Sequence, residues 1–578
     1  MKNHAVTFLV LVLVLGLGTA CASGPRRFPL RPPLWRDTDL DSRSVPCRPD
    51  KPDKQGKPHA ICRPDEYVSS FFWDGADNIA FRQIAWFFAV DPAGEAVNVN
   101  ALDEVPDSSW FTNRIGVKQL SKDELMTGSC GGELINVDLG DGAIVIDQGK
   151  PNGANPGFRI RMPDGKKYML KADGEGEPER ATGATSIATR LYYAAGWYAA
   201  CDNVVYIRPA SLKLTPGLMV TDNEGRTKIF DEHGLKKVLE FASHRGELVR
   251  FTASRWLDGR TIGPFTYSGI QDDDPNDIIP HEDRRDLRGA KLLAAWTSHY
   301  DSREQNSLET WMADNDKDPD SSPGKVLHYY IDLGDTFGGM WVPDSLWRRM
   351  DRSYLFDPND IGLDFITFGF LTRPWDRVHK DPGTLFGYYS ENEFDPEHWY
   401  GLYPNPAFAR MGERDGAWMA RIIARFTDDD LATVVTAGNF TDPAQTQFLL
   451  SKLIARRDVI LRRYLSRVSP VTDLTVVEGE LCGVDLARRT GVFPAASFAY
   501  QARVSDRPGV TVRVLDDGKL CVPLAHRNGL EGKRDDDAAR YVTVELSNRQ
   551  APGPLRAHLY DLGPDRGFTL VGIERDEP

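Results

Sequence analysis

Residues 291–335 read KLLAAWTSHYDSREQNSLETWMADNDKDPDSSPGKVLHYYIDLGD, and the succession of elements in this stretch decides how the rest of the chain is read. Leu292, Leu293, Ala294, Ala295 and Trp296 form an apolar-periodic run that suits a buried helix. A charged loop follows, carrying His299, Asp301, Arg303 and Asn306, and then a strand-like run, Val326 to Ile331, that ends in Asp332-Leu333-Gly334. Asp301 and Asn306 share one loop and can converge, while Asp332, at a separate strand end, can reach the same point from the opposite side. Between them Asp314, Asp316, Asp318 and Asp320 alternate as in a calcium loop. Pro319 stands where that loop needs glycine and no bidentate Glu follows, so the segment reads as a solvated hairpin tip.

Upstream, Ala143–Asp147 is a strand pattern, followed by a loop with Gly149, Gly153 and Gly157 and a second strand, Phe158–Met162. The turn Pro163-Asp-Gly-Lys leads to a third strand that closes on Lys171. Glycines in such a loop let backbone N–H groups approach a phosphate closely. A helix runs from Glu177-Pro-Glu179 to Gly196, with proline in its first turn and glycine at its end. Asn203–Arg208 is then expected to be the strand that leads out of this unit.

In this order, the glycine-rich loop, Lys171, the helix, the motif His299-x-Asp301-x-x-x-x-Asn306 and Asp332-x-Gly334 resemble the atypical protein-kinase-like phosphotransferases, of the toxin-kinase (HipA-like) and lipid-kinase type, over about residues 145 to 465. The loop departs from G-x-G-x-x-G in its glycine spacing. The resemblance implies an α+β, two-lobed fold that binds ATP, or another nucleoside triphosphate, with Mg2+ in the cleft. It implies that Gly149, Gly153, Gly157 and Lys171 hold phosphates and that Glu179 pairs with Lys171. Asn306 and Asp332 would hold the metal. Asp301 would accept the proton of the attacking hydroxyl, with His299 opening the motif and Arg303 steadying the transferred group. The chain is also similar to a group of bacterial exported lipoproteins.

The remaining sequence sets the envelope. Residues 1–22 read as a targeting segment: Lys2, an apolar run from Ala5 to Gly18, then Cys21. Leu17-Gly-Thr-Ala-Cys21 resembles a lipobox, with Gly18 as a departure and Cys21 as the lipidated residue, while Ala20-Cys-Ala22 also fits ordinary signal-peptidase cleavage. Either reading carries the protein out of the cytoplasm; the lipobox reading makes it a cell-envelope lipoprotein, facing the periplasm or the surface and held in the outer membrane. Residues 23–66 are rich in proline and charge and read as a tether. Residues 67–142 are aromatic-rich and expected to pack on the main unit, with Asp103, Glu104 and Asp107 in caps and turns. The kinase-like core would occupy 143–210, and the remainder with a helical lobe 211–468. The helix patterns ARMGERDGAWMARIIARF and FLLSKLIARRDVILRRYLSR fit that lobe. From 471 to 578 short alternating runs predict a β-rich, sandwich-like region, a candidate surface for an envelope protein partner. Besides Cys21 there are Cys47, Cys62, Cys130, Cys201, Cys482 and Cys521, for which about 15 connectivities are open. Nearness in the chain favours Cys47–Cys62 and Cys482–Cys521, leaving Cys130–Cys201. No C-x-x-C pair suggests zinc. A formal net charge of −14 argues against a nucleic-acid binder.

Overall fold

The computed structural model describes residues 27–46, 62–67, 70–88, 94–132, 135–151, 153, 155–174, 176–222, 224–339, 347–505 and 507–577. The targeting segment with Cys21, and residues 47–61 of the tether, lie outside them. The architecture is mixed α+β with several sheets.

The first sheet is built from β1 (Ile144–Gly149), β2 (Gly157–Arg161), β3 (Lys167–Lys171), β5 (Asp202–Ile207), β6 (Leu212–Leu214) and β10 (Leu248–Arg255), in the order β5-β10-β3-β2-β1-β6, with β9 (His244–Arg245) beside β10. The period-two alternation of these strands sorts their side chains. Phe158 and Ile160, Tyr168 and Leu170, and Val249, Phe251 and Ala253 enter one core, which Leu235 and Val238 of helix α2 (Glu232–Phe241) close. Each fully buried side chain of this size contributes about 1.5–3 kcal/mol. The intervening residues, Met169, Lys171, Asp202 and Ser254, must face the other way, and they line a cavity. Helix α1 (Arg180–Ala195) is buried almost throughout and packs on β5 and β10.

The strand Asp202–Ile207 does not lead out of this unit. It continues through β6 and the hairpin β7 (Leu218–Thr221)–β8 (Thr227–Phe230), and the chain leaves only after β10, at Trp256 and Leu257. The reason is register: β10 pairs with both β3 and β5, so it must be laid down before the sheet is complete.

The second sheet, ordered β11 (Arg260–Gly263), β12 (Ser307–Ala313), β13 (Gly324–Tyr330), β4 (Tyr198–Ala199), lies across that crossing. Before β12 comes helix α3 (Arg285–Thr297), which stops at Ser298 in the left-handed region, φ 51°. α4 (Glu413–Ile423) and α6 (Pro443–Tyr464) pack on α3, and α5 (Asp428–Val435) packs on α6, with Trp296, Trp418 and Leu453 in one core.

The C-terminal strands form two more sheets. One is β14 (Val471–Val477), β15 (Glu480–Asp485), β19 (Lys519–Pro523), β18 (Arg513–Val514); the other is β17 (Arg507–Val510), β16 (Tyr500–Val504), β20 (Tyr541–Asn548), β21 (Leu555–Asp561), β22 (Phe568–Arg575). Leu481 and Leu520 from the first and Val544 and Leu559 from the second share a single core. Cys482–Cys521 bridges β15 and β19, and Cys130–Cys201 ties the segment before β1 to the start of β5. Cys62 is disulfide-bonded, and Cys47, its expected partner, lies outside the described residues.

One expectation is corrected here. The described part of the tether is packed on the body rather than standing off it. Arg43 and Gly324 exchange backbone hydrogen bonds, Asp39 accepts from Ser109, and Phe28 fills the space left by the missing Cβ of Gly572. The aromatic-rich segment, in turn, divides. Trp110, Phe111 and Ile115 enter the main core, whereas Trp73, Phe81 and Ile84 are exposed.

At the junction of segments stands Asp103, held at φ 60°. Its carboxylate lies 2.5 Å from Arg285 on α3, 2.7 Å from Arg575 on β22 and 4.0 Å from Arg421 on α4. Burial works against the charge, but the three guanidiniums outweigh it and hold the carboxyl well below its usual range.

Candidate functional site

Where the two sheets face each other lies a cavity of ≈ 260 Å³. Met169, Trp256, Leu257, Leu308 and Ile331 make most of its wall apolar, and Lys150, Lys171, Asp202 and Asp332 stand at its polar end. Lys171 is there because β3 alternates, Asp332 because β13 ends two residues earlier. The two meet as an ion pair at 2.7 Å across 161 residues of sequence. Asp332 holds φ 56°, ψ 49°, a conformation that costs a non-glycine residue roughly 1–2 kcal/mol. Arg180 at the start of α1 steadies the turn after it, donating to the carbonyl of Gly334 and pairing with Glu177 at 2.6 Å. Burial disfavours both charges of the pair. Asp332 nevertheless raises the Lys171 pKa, and Lys171 with Lys150 depresses that of Asp332.

The loop after α3 is stitched to the same place. The amide N–H of Ile331 donates to the carbonyl of Asn306 at 3.0 Å, so Asn306 lies beside the strand that ends at Asp332. Asn306 Nδ2 donates to the carbonyl and to Oδ2 of Asp301, at 2.7 and 2.9 Å, which leaves its Oδ1 as the end a cation would take. Asp301 is 5% exposed and its other oxygen lies 2.9 Å from Arg303 Nε. Burial raises its pKa; Arg303 and Asn306 offset part of that, and the nearby Asp332 adds to it. A carboxylate with a raised pKa is the better proton acceptor.

Asp301, Asn306, Arg303, Lys171 and Asp332 are therefore neighbours. His299 is not open to a ligand: it is fully buried, shares a 2.8 Å hydrogen bond with Tyr192 OH of α1, and is kept neutral by burial, its pKa lowered to about 4. Its place is that of a strut behind the loop. Nor does Glu179 reach Lys171. It caps α1 at φ 63°, and its carboxylate accepts from the backbone and hydroxyl of Thr441, 4.0 Å from Arg250. The partner of Lys171 is Asp332. Of the loop glycines, Gly149 and Gly157 are small for packing reasons. A Cβ at Gly149 would meet Val220 at 2.7 Å, and one at Gly157 the carbonyl of Leu170 at 2.3 Å. Gly153 sits at φ 93° near the loop tip.

The sequence reading missed two charged groups. Lys150, directly after Gly149, donates from Nζ to the carbonyl of Asn155 at 2.8 Å and lines the cavity, its pKa pushed down to about 8 by burial. Asp335 ends the turn that Asp332 begins, and its pKa is pushed up to about 7 by burial and by Asp301. The run Asp332-Leu-Gly-Asp335 was a signal available in the sequence.

The oxygen donors Asp332, Asp335 and Asn306 Oδ1 are a hard set that suits Mg2+, and a dication among them would offset the burial and the like charge of Asp301 that push the Asp335 pKa up. They are not gathered into a closed cage. Among the described residues the only three acidic, His or Cys ligand atoms drawn that close are Glu480 and the sulfurs of the Cys482–Cys521 disulfide. Because like charges crowd Asp335, Asp335→Asn is expected to raise the metal-free melting temperature by a few degrees and to abolish any rise on adding Mg2+ with nucleotide. A lower metal-free melting temperature would show instead that the carboxyl is a needed hydrogen-bonding group.

No family model, curated protein or solved structure matches the chain.

Proposed function

We propose that this protein is a membrane-anchored phosphotransferase of the envelope, with a two-lobed, kinase-like arrangement that takes a nucleoside triphosphate, ATP or another, and Mg2+ between the first sheet and the second. The observation that carries the reading is the Lys171–Asp332 ion pair at the polar end of an apolar-walled cavity, with Asn306 bonded to the strand beside it. The apolar wall suits a nucleobase. Lys171 and Lys150 supply positive charge where phosphates would lie, and phosphoryl transfer asks for positioning and neutralisation above all. Magnesium, when bound to Asp332, Asp335 and Asn306, would neutralise phosphate oxygens. Asp301 takes the proton of the acceptor hydroxyl, and Arg303 fixes the direction of that carboxylate.

Nucleotide-dependent thermal stabilisation tests the reading. Triphosphate with Mg2+ at a hundredfold excess over its Kd should add about 2.7 kcal/mol to stability. No shift with any triphosphate at millimolar concentration, with Mg2+ or Mn2+, would overturn it. Within the site, Lys150→Met is expected to weaken triphosphate binding about tenfold and monophosphate binding far less, as calorimetry would read. Equal losses for both would remove Lys150 from the phosphate role.

A second reading draws on Glu179, which is turned away from Lys171, and on Asp301, which is covered by Arg303. In it the chain is a non-catalytic envelope lipoprotein, the same fold serves as a platform, and the C-terminal β-rich region makes the contacts. That protein would bind nucleotide without transferring phosphate, or bind none.

A further inference from the structure

The helical stretch Phe71–Phe88, which covers the Asp301 loop, is built inside out. Its polar residues face the body: Asp74 and Asn78 are buried, Asp74 lies 3.9 Å from Arg303, and Arg82 is paired with Glu304. Among its described apolar residues Trp73, Phe81 and Ile84 face away, each more than half exposed. Ile79 packs against a cluster that includes Tyr300, Trp347 and Tyr403. From that cluster the chain passes into the helix Pro358–Ile366, which buries none of its residues. Phe365, Ile366, Phe368 and Phe370, in and just after it, are 83%, 72%, 87% and 90% exposed. Ser353, whose carbonyl accepts from Tyr300 of that cluster, donates to Asp360 of this helix, so two elements joined through one cluster turn apolar faces outward and mark an interaction surface.

The N-terminal arm says what covers it. Arg27 follows Cys21 by six residues, and six extended residues span at most about 20 Å. Phe28 is fixed on the body, where Tyr560 OH donates to its carbonyl at 3.0 Å. A lipid at Cys21 would hold the body with Arg27 within about that distance of the bilayer, in reach of the outward-turned faces. The arm and the inside-out stretch lie toward opposite ends of α3, a helix about 20 Å long. Arg27, Phe28 and Leu34 share a groove with Val97 and Asn98, and Asn98 is bonded to Asp286 at the start of α3. The carbonyl of Gly94 accepts from Arg288, one turn further along α3. At the other end of α3 lies the loop that Asp74 and Arg82 cover.

We propose that the outward faces of residues 71–88 and 358–370 dock on a lipid surface, as interfacial amphipathic helices do, and lay the Asp301 side of the cleft against the membrane. The proposal takes proximity to the bilayer from the reading of Cys21 as a lipidated residue and needs nothing from the nucleotide reading. To test it, the full chain carries an environment-sensitive label at Ile84→Cys or Phe368→Cys, with Asp535→Cys as control, and is reconstituted in phosphatidylethanolamine–phosphatidylglycerol vesicles. Emission at the first two positions should shift to the blue and be quenched severalfold by nitroxide-bearing lipid, with the control unchanged. Labels that aqueous iodide quenches as strongly as the control would overturn the proposal. So would protection that grows with protein concentration without vesicles, which would assign the face to a second copy. Palmitate labelling of wild type and Cys21→Ser separates the two readings. Lipidated chain with water-exposed labels sinks the docking face alone, and quenched labels on unlipidated chain sink only the anchor.

Discussion

Asp332→Ala should abolish magnesium-dependent nucleotide binding, a loss of at least about 100-fold in affinity, while Asp301→Asn leaves binding within about twofold of wild type and slows transfer by about 100-fold or more. The split follows from the geometry. Asp332 sits in the cavity wall against Lys171, so its removal takes away a hard oxygen ligand and leaves two lysines without their closest counter-charge. Asp301 touches neither the cavity nor its lysines; its contacts are Asn306 and Arg303. General destabilisation would lower both activities together, so the comparison is made between variants that melt with wild type. If Asp332→Ala binds nucleotide and Mg2+ as wild type does, the assignment of the cavity's polar end fails.

The largest loss of stability is expected from Asp103→Ala, roughly 3–5 kcal/mol, the cost of removing one partner from a buried charge cluster. Arg575, 1% exposed at its side chain, would keep only the carbonyl of Val471. Asp103→Asn should recover part of this, since an amide can still accept hydrogen bonds. The sign with pH follows from the depressed pKa. The unfolded carboxyl titrates near 4, so the contribution of Asp103 is fully present above that pH and fades as pH falls toward the lower, folded value. Urea melts at pH 7 and at pH 3 would read it: the gap between wild type and Asp103→Ala should narrow at the lower pH. A gap that is constant or that widens in acid would show that the role of Asp103 is steric.

Much of the site's scaffold was legible because it is local. The apolar period of Leu292–Trp296 gave α3, the turn Pro163-Asp-Gly-Lys gave the β2–β3 connection, and the alternation after Pro163 put Lys171 on the face opposite Tyr168 and Leu170. What was not legible depends on which surfaces meet. Glu179 is the acidic residue next to the start of α1, yet the left-handed turn there aims it at Thr441, and no pattern in the sequence reports that turn. The inside-out stretch misleads for the same reason. Aromatics are normally core, and only the loop it covers, with Arg303 and Glu304 needing partners, selects its polar side. Chain nearness found Cys482–Cys521 because its strands are neighbours in one sheet, whereas Cys130–Cys201 came by elimination.

The clasp of Phe28 on β22 sets an order of assembly. A chain is synthesised from its N-terminus, but the slot over Gly572, the hydroxyl of Tyr560 and the ring of His558 that receive Phe28 are made more than 500 residues later. The first described residues must therefore wait, undocked, until the last strand is in place. The entropy of closing so long a loop is met only once the β sheets have formed and drawn the ends together. Docking of Phe28 thus becomes a mark of completion. A chain truncated before β22 lacks the slot over Gly572, so that a protease able to cut near Arg31 would act faster on unfinished molecules than on finished ones.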